Sequence, residues 1–132
     1  MRLRLAVLLI ALALPLPSSA QEAPIEGTIR AQIDAFLKDD FATAFGYASP
    51  GIQAMFGTPD RFGRMVVQGY PMVHRPAEVR MLGLESREGQ LWQKVMITDA
   101  QGRLHILGYE MVETPDGWRI DGVVLLQGEL SA

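Results

Sequence analysis

The sequence predicts an α+β fold, with N-terminal helices packed on a curved antiparallel four-stranded sheet, and three observations carry that prediction. Apolar residues recur at helical spacing through the first half of the chain and at a period of two in the second half. The joins in the second half are short and bear glycine, as hairpins require. The 132 residues are 48% apolar and 20% charged and include no cysteine, so one core must hold the fold without disulfides.

The first element is a leader. Met1-Arg2-Leu3-Arg4 sets two positive charges before the apolar run from Leu5 to Leu14, which Pro15 and Pro17 end, and Ser18-Ser19-Ala20 offers the small residues a signal peptidase reads. Residues 1–20 are therefore expected to be a signal peptide cleaved after Ala20, with an uncleaved N-terminal anchor as the alternative. Residues 21–132 form the single α+β domain, destined for the periplasm. A membrane-spanning helix needs about 20 apolar residues, and none follows, so no membrane attachment is expected after cleavage. Loss of Arg2 and Arg4 takes the formal net charge from −3 to −5. The remaining Lys and Arg are scattered rather than gathered on one face, which argues against a nucleic-acid partner.

Ile25, Ile29, Ile33, Phe36 and Leu37 form one helical stripe, closed by Asp39 and Asp40. Asp40 is placed to cap a second short helix through Phe41, Ala44, Phe45 and Ala48. Ser49-Pro50 and Thr58-Pro59 each read as a cap followed by the residue best tolerated at a helix's first position. The later of these helices turns Phe62, Met65 and Val66 inward and stops at Gly69, read as a left-handed C-cap. Four strands follow, at Glu78 to Glu85, Leu91 to Thr98, Arg103 to Val112 and Trp118 to Leu126. Both faces of the sheet are apolar, since Leu91, Val95 and Ile97 oppose Trp92 and Met96, and Leu104 and Ile106 oppose Leu107 and Tyr109. A sheet with one wet face would alternate. One face is therefore expected to meet the helices, and the other the C-terminal tail or a second copy in a two-fold homodimer.

The runs Asp40 to Pro50, Phe56 to Phe62, Met65-Val66, Gly69-Tyr70-Pro71 and Asp116 to Val123 together resemble a family of short exported bacterial proteins known as domain of unknown function 4864. That family in turn looks like the nuclear transport factor 2-like superfamily, which implies a cone-shaped α+β domain that often dimerises through its sheet. The resemblance implies no activity, because the superfamily spans isomerases, hydrolases, dehydratases and non-catalytic binding modules.

An isomerase- or dehydratase-like site in such a cone needs a carboxylate base facing a phenol or second acid in a dry pocket. Asp40, Tyr47, Tyr70, His74, Tyr109 and Asp121 are the candidates, and Asp121 leads because it sits in the last strand, where a solvated acid is not expected. The structural alternative sets Asp121 at a bulge marked by Gly122, paired with an Arg or His; Asp40 reads better as a helix cap than as a base. Met72 and His74, two apart on an extended segment and so on one face, offer with His105 from the third strand a thin copper set, outweighed by the gap-filling use of methionine in apolar patterns. Ser49 and Ser86 lie at cap and turn positions, without a nucleophile elbow. Binding is the broader expectation, either of a small molecule in an apolar pocket or of a protein partner at the sheet surface. Phe56, Tyr70, His74, Trp92 and Trp118 are the pocket candidates, joined by Phe62, and the expected ligand is an apolar small molecule taken up without cofactor or metal.

Overall fold

Among residues 19–126, which the computed structural model describes, five helices precede four strands. The helices are α1 (Ser19–Leu37), α2 (Phe41–Gly46), α3 (Pro50–Phe56), α4 (Pro59–Gly69) and α5 (Pro71–His74). The strands are β1 (Pro76–Arg87), β2 (Gln90–Asp99), β3 (Leu104–Thr114) and β4 (Gly117–Leu125). Most of the expected signal peptide, residues 1–18, lies outside the described residues, as does the C-terminal tail beyond Leu126. No described helix is long and apolar enough to cross a membrane.

α1 begins earlier than the expected Ile25, with Pro24 inside it. Proline's fixed φ suits a helix, and near a helix start it sacrifices only one N–H bond. Ile25, Ile29, Ile33 and Phe36 are buried along one stripe, as their spacing predicts, but Leu37, expected on the same stripe, is 45% exposed. The helix ends with Asp39 in the left-handed region at φ 53. There the Asp39 N–H donates to the Phe36 carbonyl at 3.0 Å and the Asp40 N–H to the Ala35 carbonyl at 2.8 Å, which closes the helix without glycine. Asp40, Ser49 and Thr58 cap the next three helices, each side chain accepting from the backbone N–H three residues on.

Two expectations need correction. Gly69 lies within α4 and Tyr70 follows it at φ −135, so no left-handed cap stands there; the left-handed glycine is Gly57, at φ 79 after α3. Pro71–His74 forms a helical turn in place of an extended segment, with proline at its first position. Met72 and His74 therefore do not share a face: Met72 is buried in the core and His74 turns to Asp39.

α4 packs against α2 through a glycine. A Cβ built on Gly63 would fall 2.6 Å from the Phe41 ring. Gly63→Ala is accordingly expected to destabilise the protein by about 1–2 kcal/mol, since overpacking outweighs the gain in helix propensity. Urea denaturation checks this, and a stabilised variant would refute it.

The sheet is an antiparallel meander in the order β1-β2-β3-β4, the α+β arrangement the pattern predicts. Glu88 and Gly89, at φ 50 and 80, make the first hairpin turn, and Gly117 at φ 110 serves the last. The face toward the helices carries Val95 and Ile97 from β2, Leu107, Tyr109 and Met111 from β3, and Ile120 from β4, all buried. Gln93, buried on the same face, donates from its amide to the carbonyl of Leu82 at 2.8 Å, where β1 slips register between Met81 and Leu84. On the outer face Trp92, Met96, Ile106 and Val124 are interleaved with Glu85, Arg87 and Lys94, so apolar side chains stand on both faces but the outer face is mixed with charge. The open edge of β4 meets the α2–α3 link: the Ser49 N–H donates to the Ile120 carbonyl at 2.8 Å, and the Ile120 N–H to the Tyr47 carbonyl at 2.9 Å.

Candidate functional site

Three successive helices, α3, α4 and α5, each begin with a proline. A cavity of about 230 Å³ remains between α3, α4, α5 and the core face of β3 and β4. Ile52, Met55 and Phe56 of α3 form one wall, and Phe62, Met65 and Val66 of α4 form another. Tyr109, Ile120 and Val123 line it from the sheet. Met55 is 72% exposed and none of α3 is fully buried, so α3 is the wall nearest solvent.

The lining holds no Asp, Glu, His, Lys or Arg; its polar side chains are Gln32, Tyr70 and Tyr109. Gln32 donates from Nε2 to the Ala44 carbonyl at 3.1 Å, and the Tyr70 hydroxyl to the Val123 carbonyl at 3.1 Å. The Tyr109 hydroxyl, fully buried, has no hydrogen-bond partner among the described residues. Burial, and then the neighbouring Tyr70, push its pKa well above the ordinary phenol value, so it holds its proton.

Of the residues singled out from sequence, Phe56, Phe62 and Tyr70 line this cavity together, with Tyr109. Trp92 lies on the outer face of the sheet, beside a hollow of about 370 Å³ lined also by Glu85, Lys94 and Val124. Trp118 packs half-buried against the core, and its carbonyl accepts from the Thr28 hydroxyl of α1 at 3.1 Å. His74 is outside the lining, with Nε2 2.8 Å from Asp39 Oδ1. Sequence reasoning missed Gln32, Ile52 and Met55. Gln32 alone carried a signal, as a polar residue three positions from Ile29 on the apolar side of α1.

Asp121 sits at a bulge. Glu110 pairs with Gly122 and Met111 with Ile120, leaving Asp121 as the extra residue of β4. Its Oδ1 accepts from the Ser49 hydroxyl at 2.6 Å, and Ser49 Oγ in turn accepts from the Ile52 N–H at 3.2 Å. Its partner is thus a hydroxyl rather than the Arg or His of the structural alternative, and the bond ties the start of α3 to β4. Glu110 is the neighbouring acid, its pKa raised by burial first and by the Asp121 charge second. Neither carboxylate is among the residues lining the cavity. Ser49→Ala removes a cap and the partner of a carboxylate, and is expected to cost about 1–2 kcal/mol of stability in urea denaturation. A loss below roughly 0.5 kcal/mol, the low end for a cap, would refute this.

The histidines do not converge. His105 Nε2 lies 2.8 Å from Asp99 Oδ2 at the β2–β3 hairpin, while His74 serves Asp39 at the end of α1. Among the described residues no group of three His, Cys, Asp or Glu is arranged to hold a metal. Asp39 is also gripped by Arg75, whose Nη2 lies 2.9 Å from both carboxylate oxygens. The bond to His74, then that to Arg75, lowers the Asp39 pKa, and the bond to His105, then the Arg103 N–H, lowers that of Asp99. Groups lowered on folding add stability above their ordinary value and lose it as the pH falls through their folded value; a raised group such as Glu110 adds it at low pH and loses it as the pH rises through its folded value. Carboxyl carbon NMR titration is expected to show Asp39 and Asp99 titrating below 3.8 and Glu110 above 4.5. The reverse order would refute the assignment.

The family model described as Domain of unknown function (DUF4864) matches residues 18–131. No curated protein and no solved structure matches the chain.

Proposed function

The chain belongs to the domain of unknown function 4864 family, and we propose that it is an exported, non-catalytic binding module that takes an apolar small molecule into the cavity between its helices and its sheet. The observation that carries this reading is the lining itself: an apolar space of about 230 Å³ with three polar side chains and no ionised group. A cone-pocket isomerase would need a base in that space, whereas Asp121 and Glu110 lie outside the lining and Asp121 is occupied by Ser49. α3 is the gate side, held at its start by the Ser49 to Asp121 bond and ended by Gly57.

Naphthalene tests the reading, because apolar cavities of this kind take up aromatic hydrocarbons. Saturable shifts at the methyl groups of Ile52, Met55, Met65 and Val66 are expected. No shift at a saturating concentration would overturn it.

In the same reading residues 1–20 direct export and leave a mature chain starting at Gln21 in the periplasm. Two copies then pair through the outer face of the sheet, in the manner of the nuclear transport factor 2-like cone. The leader pattern supports export. The pairing is supported by the exposure of Val124, 42% accessible on a face that also bears Trp92 and Met96. Native mass spectrometry of protein expressed with its own leader reads both: the expected species is a dimer of chains beginning at Gln21, and a monomer or an unprocessed chain would overturn the corresponding part.

A further inference from the structure

The polar chemistry of the cavity lies at Gln32. This residue stands on the buried side of α1, three positions after Ile29 and four before Phe36, and is only 3% exposed. Its Nε2 donates to the Ala44 carbonyl of α2 at 3.1 Å. That bond settles which end of the amide is which, since the reverse orientation would press two acceptor oxygens together. A carboxamide is planar, so holding its nitrogen also fixes where its oxygen points. Oε1 accepts no hydrogen bond among the described residues. The side-chain atoms shut away from any accessible space without a partner are Gln93 Oε1 and the Tyr109 hydroxyl, and Gln32 Oε1 is not one of them. It therefore keeps accessible surface, and the open space that Gln32 lines is the cavity. The wall has no side-chain proton to give it, because the Tyr70 hydroxyl donates to the Val123 carbonyl and the Tyr109 hydroxyl does not reach the open space.

Resting on the binding reading above, we propose that the ligand is a compact, neutral, largely apolar molecule with one hydroxyl, whose proton is donated to Gln32 Oε1. Donor chemistry follows from what is unmet. An amide oxygen can accept two bonds and this one accepts none, whereas the nitrogen has already spent one proton on Ala44. Neutrality follows from the lining, which holds no Asp, Glu, His, Lys or Arg. An ammonium would supply the proton but leave its charge desolvated without a counter-ion, and a carboxylate would set a second acceptor against the Gln32 oxygen. A hydroxyl meets the need with one polar atom, so the rest of the ligand can match the apolar walls. Compactness follows from the volume, since drug-sized ligands occupy pockets of about 300–1,000 Å³ and this one is smaller.

2-Naphthol and 2-methoxynaphthalene share a ring system and an oxygen, and only the first has a proton to give. Their affinities are measured on the native protein and on Gln32→Met, which keeps the length of the side chain and removes the amide. The preference for naphthol over the ether is expected to be about fivefold greater in the native protein than in the variant, the scale of one net hydrogen bond. An equal preference in both proteins, or a greater one in the variant, would overturn the proposal while leaving the binding reading intact. The variant also loses the bond to the Ala44 carbonyl, so a second measurement uses the native protein alone. The side-chain carbonyl carbon of Gln32 is expected to move downfield in NMR with saturating naphthol and to stay in place with the ether. Equal shifts with both, or no shift with either bound, would overturn the proposal even if the variant fails to fold. Failure of naphthol, the ether and naphthalene itself to bind would overturn the binding reading as well.

Discussion

Replacement of Phe62 by alanine is expected to lower the unfolding free energy by about 3–5 kcal/mol, the range for deleting a buried phenylalanine. Phe62 is the hub of an aromatic cluster, with ring centroids 5.9 Å from Phe36, 5.3 Å from Phe45 and 5.8 Å from Phe56. Those rings belong to α1, α2 and α3, so one side chain of α4 draws three of the other helices together. Part of the cost is the apolar surface returned to water, and part is the void. That void would open into the existing cavity, because Phe62 forms part of its wall. Relaxation could close it only by moving α3, the wall with no fully buried residue. Urea denaturation measures the loss; a cost below about 2 kcal/mol would mean that the site collapses as only the cheapest large-to-small sites do. Native-like methyl shifts at Ile52 and Met55 in the variant would then exclude that collapse.

Much of this fold was legible because its punctuation is chemical. Asp40, Ser49-Pro50 and Thr58-Pro59 mark helix starts with side chains that can only be useful there, and each caps as its type predicts. The hairpins were legible for the same reason, since Glu88-Gly89 and Gly117 supply the positive φ that the turns need. Local signals failed where two conformations were both allowed. Pro71 is compatible with an extended segment or with a first helical position, and docking of Met72 and Val73 into the core selects the helix. Gly69 could have ended α4 in the left-handed region, yet Tyr70 ends it by reaching its hydroxyl to Val123.

The candidate site was less legible than the fold, because a cavity is defined by what does not fill it. Phe56, Phe62 and Tyr70 could be named from size and position, but Trp92 has the same credentials and lies on the other face of the sheet. Strand parity separates them: Trp92 alternates with Gln93 and Val95, which face the helices. Asp121 illustrates a different limit. Its bulge was readable from Gly122, but its partner, Ser49, is 72 residues away, and no local pattern encodes that meeting.

Tyr109→Phe is expected to stabilise the ligand-free protein by about 1–3 kcal/mol, against the usual direction of core substitutions. The ring stays and its packing is kept, while the hydroxyl that burial leaves unpartnered is removed. A gain of this size raises the melting temperature by roughly 4 °C or more per kcal/mol in a domain near 100 residues, which calorimetry resolves easily. Gln93, opposite Tyr109 in register, has an amide oxygen that is likewise without a partner. Were the hydroxyl to donate to that oxygen in solution, the substitution would strip a buried bond and destabilise the protein instead. The sign of the stability change therefore decides whether the Tyr109 hydroxyl stands without a partner or donates to Gln93.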